Sequence, residues 1–522
     1  QREGAPMAAP APSDQQQSPL QQIIQPFIDL VHAPRALWGI NLAYFLEGWV
    51  YFGMLGYLAM HFSDFVFQGV PDPDINSHHM VMVLTAGITI SMFFLGSVAD
   101  KWGVRNALLA AFGFLLAGRI IWSAAPFVFP ETGLWSNMHL MTMAGILLVV
   151  IGYGMYQPAA YAGVRQFTSP KTAAMGYAML YALMNLGGFL PAGFSVVRNA
   201  IGITGAFWVY TVITAIALTL TYLILTPRVE RDAIAQAKAE TAALEAKDEA
   251  KDDAAQNDAA AAVKTRLAPH MYGVLLGVAA ACWFLIPAPF HWIGAAFVGL
   301  AAIFLLAPDV LGPAYRWLAN HPLGDLKFFF FIFALIPVQT LFTYNWLILP
   351  QYLERAFEGG FVGNNFEFFA NLNPILIFVA VPMIAAITQK RDVYGMMIVG
   401  TMVMAAPAFL LAADTSVVTL LGYLFIMTIG EAMWQPRFLQ YAAEIAPEGR
   451  TGAYMGVAQF PWFLTKMLVP LYSGVMLQKY VPSEGPRNPE AMWLIFAVIA
   501  MSSTVMLIVA KGWVGRGFKT KA

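Results

Sequence analysis

Apolar runs of about twenty residues recur along this whole chain and leave few folds open to it. Inside lipid every backbone N–H and C=O must find a partner within the protein, so spanning segments are helices or closed barrels, and runs of this length are helical. We count fourteen, at 36–60, 79–99, 106–125, 139–164, 173–197, 203–226, 271–287, 291–308, 327–350, 372–389, 393–412, 416–441, 452–478 and 491–510. The two in the middle are short, and Pro287 and Pro289 between them also allow a re-entrant hairpin. The expected fold class is an all-α membrane protein: two six-helix bundles plus an extra helix pair between them.

Composition agrees. Of 522 residues 59% are hydrophobic and 11% charged, against about 25% charged in a soluble domain. The formal net charge of −1 carries no basic surplus, so the lipid bilayer and not nucleic acid is the expected partner. Cys282 is the single cysteine, which excludes an intramolecular disulfide and a multi-cysteine metal site; it reads as a small core hydrophobe. His78 and His79 sit at a helix end without cysteine or carboxylate partners and read as surface residues, so no metal or cofactor is expected. Gln1–Gln25, rich in Pro, Gln, Ser and Ala, lacks the regions of a signal peptide and reads as a disordered tail, leaving the first spanning helix to direct insertion.

Lys and Arg collect in alternate loops. Lys101 and Arg105, Arg165 and Lys171, Arg228 to Arg266, Arg316, Lys390 and Arg391, Arg450, and Lys511 to Lys521 fall on one side. On the other, Phe62–His78 and Ala125–Met138 hold none, and only Arg198, Arg355, Lys479 and Arg487 occur elsewhere. The first side is expected to face the cytoplasm, with both termini inside a bacterial cytoplasmic membrane. The expected divisions are a segment 1–35, a bundle 36–227, a charged linker 228–269, the extra pair 270–323, a second bundle 324–511 and a tail 512–522. Within the linker, Glu230–Asp258 has helix propensity but only Leu244 as a large apolar residue. It reads as a solvated helix or mobile linker, with a regulatory docking role as the alternative.

Two glutamates interrupt the apolar runs, Glu47 in the first and Glu431 in the twelfth. A carboxylate in low dielectric costs several kcal/mol, so such residues face a bundle interior or a wet cavity and point to a solute or proton path.

Between the second and third runs stands Gly96-Ser-Val-Ala-Asp100-Lys101-Trp-Gly103-Val-Arg105. It resembles the cytoplasmic loop of the major facilitator superfamily, in which such a contact forms and breaks as two bundles rock. Gly96 allows close helix approach, Gly103 a tight turn, and Asp100 a base or helix N-terminus as partner. A finer resemblance is spread over most of the chain. Gly152-Tyr-Gly-Met-Tyr-Gln157-Pro158, Leu180-Tyr181-Ala-Leu-Met-Asn185-Leu-Gly187, Asn373-Pro374 to Pro382, Gly430-Glu431 with Pro436, and the extra helix pair all look like the proton-coupled oligopeptide transporter family. The chain departs from it in the first run, Tyr44-Phe-Leu-Glu47-Gly48-Trp49-Val-Tyr51-Phe52-Gly53, where the family carries two acids and an adjacent arginine. Here only the second acid survives. Gly48, Leu55 and Gln157 stand where the resemblance implies cations that receive a peptide carboxylate.

The resemblance implies a secondary active transporter working by alternating access, coupled to protons, with the acid at Glu431 receiving an amino group. Glu47 is expected to carry the proton, with burial dominating its behaviour because its neighbouring arginine is absent. Glu431, Tyr51, Gln157, Asn185, Asn373 and Trp434 are expected to contact the solute, and ordinary peptides fit poorly because a buried carboxylate would lack a cation. Arg119 and Lys466 either replace the missing cations or pair structurally with Glu47 and Glu431. Tyr181 and Trp462 line the cavity or simply pack. The competing reading is a non-transporting subunit that keeps the fold beside other membrane subunits; no nucleophile–base arrangement or phosphate loop supports an enzyme.

Overall fold

A computed structural model describes residues 34–95, 98–168, 170–249, 266–285, 292–306, 312–388, 391–446 and 451–514. The Gln1–Gln25 tail, Gly96, Pro287, Pro289, Lys390, Arg450 and the last eight residues lie outside the described residues, as do the side chains of Asp100, Lys171 and Cys282.

The regular secondary structure among the described residues is helical throughout. In chain order the helices are α1 Arg35–His61, α2 Pro73–Leu95, α3 Val98–Trp102, α4 Val104–Val128, α5 Asn137–Phe167, α6 Pro170–Phe189, α7 Ser195–Ile224 and α8 Pro227–Glu249. Then come α9 Pro269–Leu285, α10 Trp292–Leu306, α11 Gly312–Ala319, α12 Leu326–Leu347, α13 Leu349–Ala356, α14 Phe361–Asn364, α15 Phe366–Ala370 and α16 Leu372–Thr388. The last are α17 Val393–Ala405, α18 Ala408–Ala413, α19 Val417–Glu444, α20 Thr451–Val457, α21 Phe460–Tyr480 and α22 Pro489–Val514. Among the described residues, eight helices, three of them broken by a kink, are long and apolar enough to cross a membrane; the third break is at Gly202 in α7, φ +70°. The extra pair α9 and α10 measures 17 and 15 residues and packs on itself.

Three expected runs are broken. The run 393–412 splits at Ala406-Pro407, where proline has no N–H to continue the ladder, and the run 452–478 splits at Ala458-Gln459 just before Pro461. The run 173–197 ends at Phe189 and passes through a 3-10 turn containing Pro191 into α7. Such breaks turn a straight span into two segments at an angle.

Helices α1, α2, α4, α5, α6 and α7 pack among themselves, as do α12, α16, α17, α18, α19, α21 and α22. Contact between the two sets runs through α2 against α21 and α6 against α16. The α2–α21 crossing is close because of Gly474: a Cβ there would stand 2.6 Å from the Asp74 carbonyl oxygen and 2.7 Å from the Ile75 Cα.

The linker corrects an expectation. Helix α8 does have a face to bury: Ala233 and Ala237 are buried, and the helix packs on α1, α4 and α5. Alanines leave no large apolar residue for a sequence reading to notice, yet their small side chains let a polar helix sit close.

Candidate solute site

In the first bundle Glu47 is not isolated. Arg119 on α4 grips it with both guanidinium nitrogens, Nη1 to Oε2 at 2.8 Å and Nη2 to Oε1, and neither side chain reaches solvent. Tyr153 on α5 donates its hydroxyl to the same carboxylate, and Nη1 also donates to Thr214 Oγ1 on α7 at 2.7 Å. Four helices therefore meet on one neutral, hydrogen-bonded pair. Of the two options for Arg119, the structure has it paired with Glu47, so a cation from α4 stands beside the carboxylate in place of a neighbour at Gly48. An arginine at position 48 would not fit, since even a Cβ meets the Met184 carbonyl oxygen at 2.9 Å and its sulfur at 3.1 Å. Tyr51 lies edge-on to Tyr153 at 5.2 Å, and Gln157 is within hydrogen-bonding reach of Tyr44.

In the second bundle Glu431 has a different setting. It is 2% exposed, and its hydrogen-bond partners among the described residues are amides: Asn373 Nδ2 on α16 donates at 2.9 Å and Gln435 Nε2, one turn along α19, at 3.2 Å. No cation pairs with it among the described residues. Gln435 also leans on Gln339 Oε1 of α12 at 3.5 Å. Beside it a small open pocket is lined by Gln339, Trp434, Gln435, Phe438 and Trp462, among others. Trp434 donates its indole N–H to Met404 Sδ at 3.0 Å and so holds one wall. Tyr181, on α6 of the opposite bundle, is near enough to Glu431 to feel its charge.

The structure thus brings Glu431, Asn373 and Trp434 together and leaves Glu47, Tyr51 and Gln157 in a separate cluster. Asn185 donates to the Tyr181 carbonyl oxygen of its own helix at 2.9 Å. In the loop motif Lys101 is exposed, Gly103 has φ +79°, and the Arg105 backbone N–H donates to Glu230 Oε1 at 3.0 Å, so the start of α8 clasps the turn.

The sequence reading missed a layer of charge joining the bundles at the end where α1 stops and α2 begins. Arg355 on α13 donates to Asp74 on α2 at 2.7 and 2.8 Å, both side chains nearly buried. His78, one turn from Asp74, shares hydrogen bonds with Ser473 Oγ at 2.6 Å and Gln351 Oε1 at 3.0 Å. His78 is therefore buried between the bundles and not a surface residue; helix α21 covers it. Alongside, Arg198 at the start of α7 pairs with Glu367 on α15, which also accepts from Tyr57 on α1 at 2.8 Å. Asp74 and His78 spaced one turn apart, and Arg198 and Arg355 standing alone on the cation-poor side, were the available signals. Among the described residues every ion pair between the bundles lies at this end, which is closed.

Glu354, next to Arg355, is pH-sensitive. Burial, reinforced by the negative charges of Asp64 and Glu367, pushes it up to about 7 against the opposing pull of Arg355 and Arg198. A carboxyl raised in the closed form binds more protons closed than open, so closure strengthens as pH falls through about 7. Spin-label distances across this end should therefore shorten on average between pH 8 and pH 6.5, above the range in which buried His78 favours opening, and Glu354→Gln should flatten the trend. A trend unchanged in that variant would assign it to another group.

The Major Facilitator Superfamily profile matches residues 37–470. The uncharacterized MFS-type transporter YttB of Bacillus subtilis (strain 168) is 24% identical over 179 residues, covering 33% of this chain and 44% of that protein, so the match spans under half of the relative. The POT family transporter PepTSo has a TM-score of 0.65 at 15% identity, over 93% of this chain and 99% of that one. A POT family transporter in complex with 5-aminolevulinic acid has a TM-score of 0.60 at 16% identity, over 92% and 97%. A mutant peptide transporter POT in complex with alafosfalin has a TM-score of 0.62 at 17% identity, over 92% and 95%. The expected resemblance is borne out at the level of fold. With a multi-pass, all-helical transporter fold and a profile match over most of its length, this chain belongs to the Major Facilitator Superfamily.

Proposed function

We propose that this chain is a proton-coupled secondary active transporter that moves a small organic solute by alternating access between its two bundles, with both termini cytoplasmic in a bacterial membrane. The observation that carries the reading is Glu431: a buried carboxylate held by neutral amides beside an amphipathic pocket. Such a group can exchange its hydrogen-bond partners for a solute's amine or for a proton without first breaking an ion pair. Asn373 and Gln435 orient it, and Trp434 and Phe438 supply an apolar wall. Tyr51, Gln157 and Asn185 shape the first bundle's side of the path.

Proton coupling was expected of Glu47. Its bidentate pair with Arg119 supports a role in holding four helices together, so the proposal transfers the exchangeable acid to Glu431. The gating role of Gly96, Asp100, Lys101, Gly103 and Arg105 is kept, with Glu230 added as the contact that steadies the turn.

Proteoliposomes with an imposed pH gradient test this directly. Wild-type protein should concentrate a dipeptide or 5-aminolevulinic acid, Glu431→Gln should abolish concentration, and the neutral double variant E47Q/R119Q should retain it. Retention by Glu431→Gln and loss by the double variant would return the coupling role to Glu47.

A further inference from the structure

Lys466 lies on α21, in the membrane-spanning part of the second bundle. Its ammonium has no hydrogen-bond or ion-pair partner among the described residues, whereas Arg119 is ion-paired with Glu47. The helix register fixes where it faces. Leu468, Leu471 and Val475 are the exposed, lipid-facing side of α21. At 100° per residue Lys466 lies roughly 140–200° away from all three, on the inward side. Trp462, one turn earlier on that inward side, lines the pocket beside Glu431. The Thr85 hydroxyl of α2 donates to the Lys466 carbonyl oxygen at 3.0 Å, which ties this turn of α21 to the first bundle.

Two further donors have no partner among the described residues. Gln339 Nε2 and Trp462 Nε1 are both buried polar atoms left unsatisfied, and both residues line the same pocket; Gln339 is 1% exposed. Because the Gln339 oxygen is turned toward Gln435, its amide nitrogen is the group left for a ligand. An indole N–H, an amide N–H and an ammonium are all donors, so the complement they need is an acceptor carrying negative charge. Across Gln435 stands Glu431, which needs the opposite.

We propose that Lys466, Trp462 and Gln339 receive the carboxylate of the solute, so that the transported molecule is a small zwitterion whose ammonium group lies at Glu431. The inference rests on the transporter reading above and adds its substrate class. An unpaired cation on the inward side of α21 and an unpaired anion beside the pocket are each costly, and a solute with one charge of each sign satisfies both. The carboxylate receptor then belongs to the same bundle as the amine receptor, which is why Gly48, Leu55 and Gln157 can be uncharged.

The test uses purified full-length protein with two matched pairs of probes: 5-aminolevulinic acid and its methyl ester, and alanyl-alanine and its C-terminal amide. Wild-type protein should favour each free acid over its neutral-ended partner by about ten- to hundred-fold, the strength of a charge-assisted hydrogen bond. Lys466→Gln should erase that ratio and Lys466→Arg should keep most of it. The ratio is an internal comparison, so a variant that folds in lower yield still reports it. A Lys466→Gln variant that keeps the preference overturns the proposal, as does wild-type protein that handles acids and esters alike while transporting both. If none of the four probes binds or moves, the proposal and the transporter reading for amine-bearing solutes fall together.

Discussion

Replacing Arg119 with glutamine should destabilise the protein by about 3–5 kcal/mol, the usual cost of leaving one member of a buried ion pair without its partner. Glu47 is fully buried, and after the substitution it would keep only the Tyr153 hydroxyl as a donor from the present set. The double variant E47Q/R119Q removes both charges at once and should recover most of the loss, because two amides of similar shape can hydrogen-bond to each other and to Thr214. Thermal unfolding in detergent, followed by tryptophan fluorescence, would give the ordering wild type, double variant, single variant. A single variant no less stable than the double would show that Arg119 does not neutralise Glu47. The consequence reaches function: α1, α4, α5 and α7 converge on this pair, so it fixes the bundle that has to move as a body.

Arg355→Ala should open the end of the molecule that the structure shows closed. The lost guanidinium bridges α13 to Asp74 on α2 with two short bonds and also donates to the Val481 carbonyl oxygen at 3.0 Å. Breaking a buried pair of this kind shifts the equilibrium by about 3–5 kcal/mol, a factor of at least 100, which is enough to invert a conformational preference of a few kcal/mol. With Cys282 replaced and spin labels at the exposed positions Gln68 and Glu484, the distance distribution should move from a short to a long population. Asp74→Asn should do the same more weakly, because Gln351 still reaches this position. The charge-exchanged variant D74R/R355D should restore part of the short population. If Arg355→Ala leaves the distances unchanged, closure rests on the Arg198–Glu367–Tyr57 set alone.

Much of the architecture was legible because spanning helices declare themselves by length and hydrophobicity. Run boundaries at 36–60 and 106–125 lie within three residues of Arg35–His61 and Val104–Val128. Breaks at Pro407 and near Pro461 were written in the prolines but hidden by the continuous apolar composition around them. Glu431 and Asn373 could both be assigned to a solute cavity because they fall on motifs of one family, but their hydrogen bond to each other was not legible. The Glu47–Arg119 contact was one of two open options, since nothing in a one-dimensional pattern says which face of α4 an arginine occupies. The closed end was not legible as a site. Its residues come from α1, α2, α7, α13, α15 and α21, far apart in sequence, and loop cations such as Arg198 and Arg355 first inform on orientation. Burial of His78 depends on α21 crossing α2 at Gly474, and that approach is tertiary information.

Solute-driven proton movement is the most direct test of the central claim that Glu431 joins a solute path to a proton path. Wild-type proteoliposomes loaded with a pH-sensitive dye and given no imposed gradient should change internal pH when a transported dipeptide or 5-aminolevulinic acid is added. The same vesicles carrying Glu431→Gln should not. Solute accumulation with no pH change in wild type, or an equal pH change in Glu431→Gln, would contradict the account.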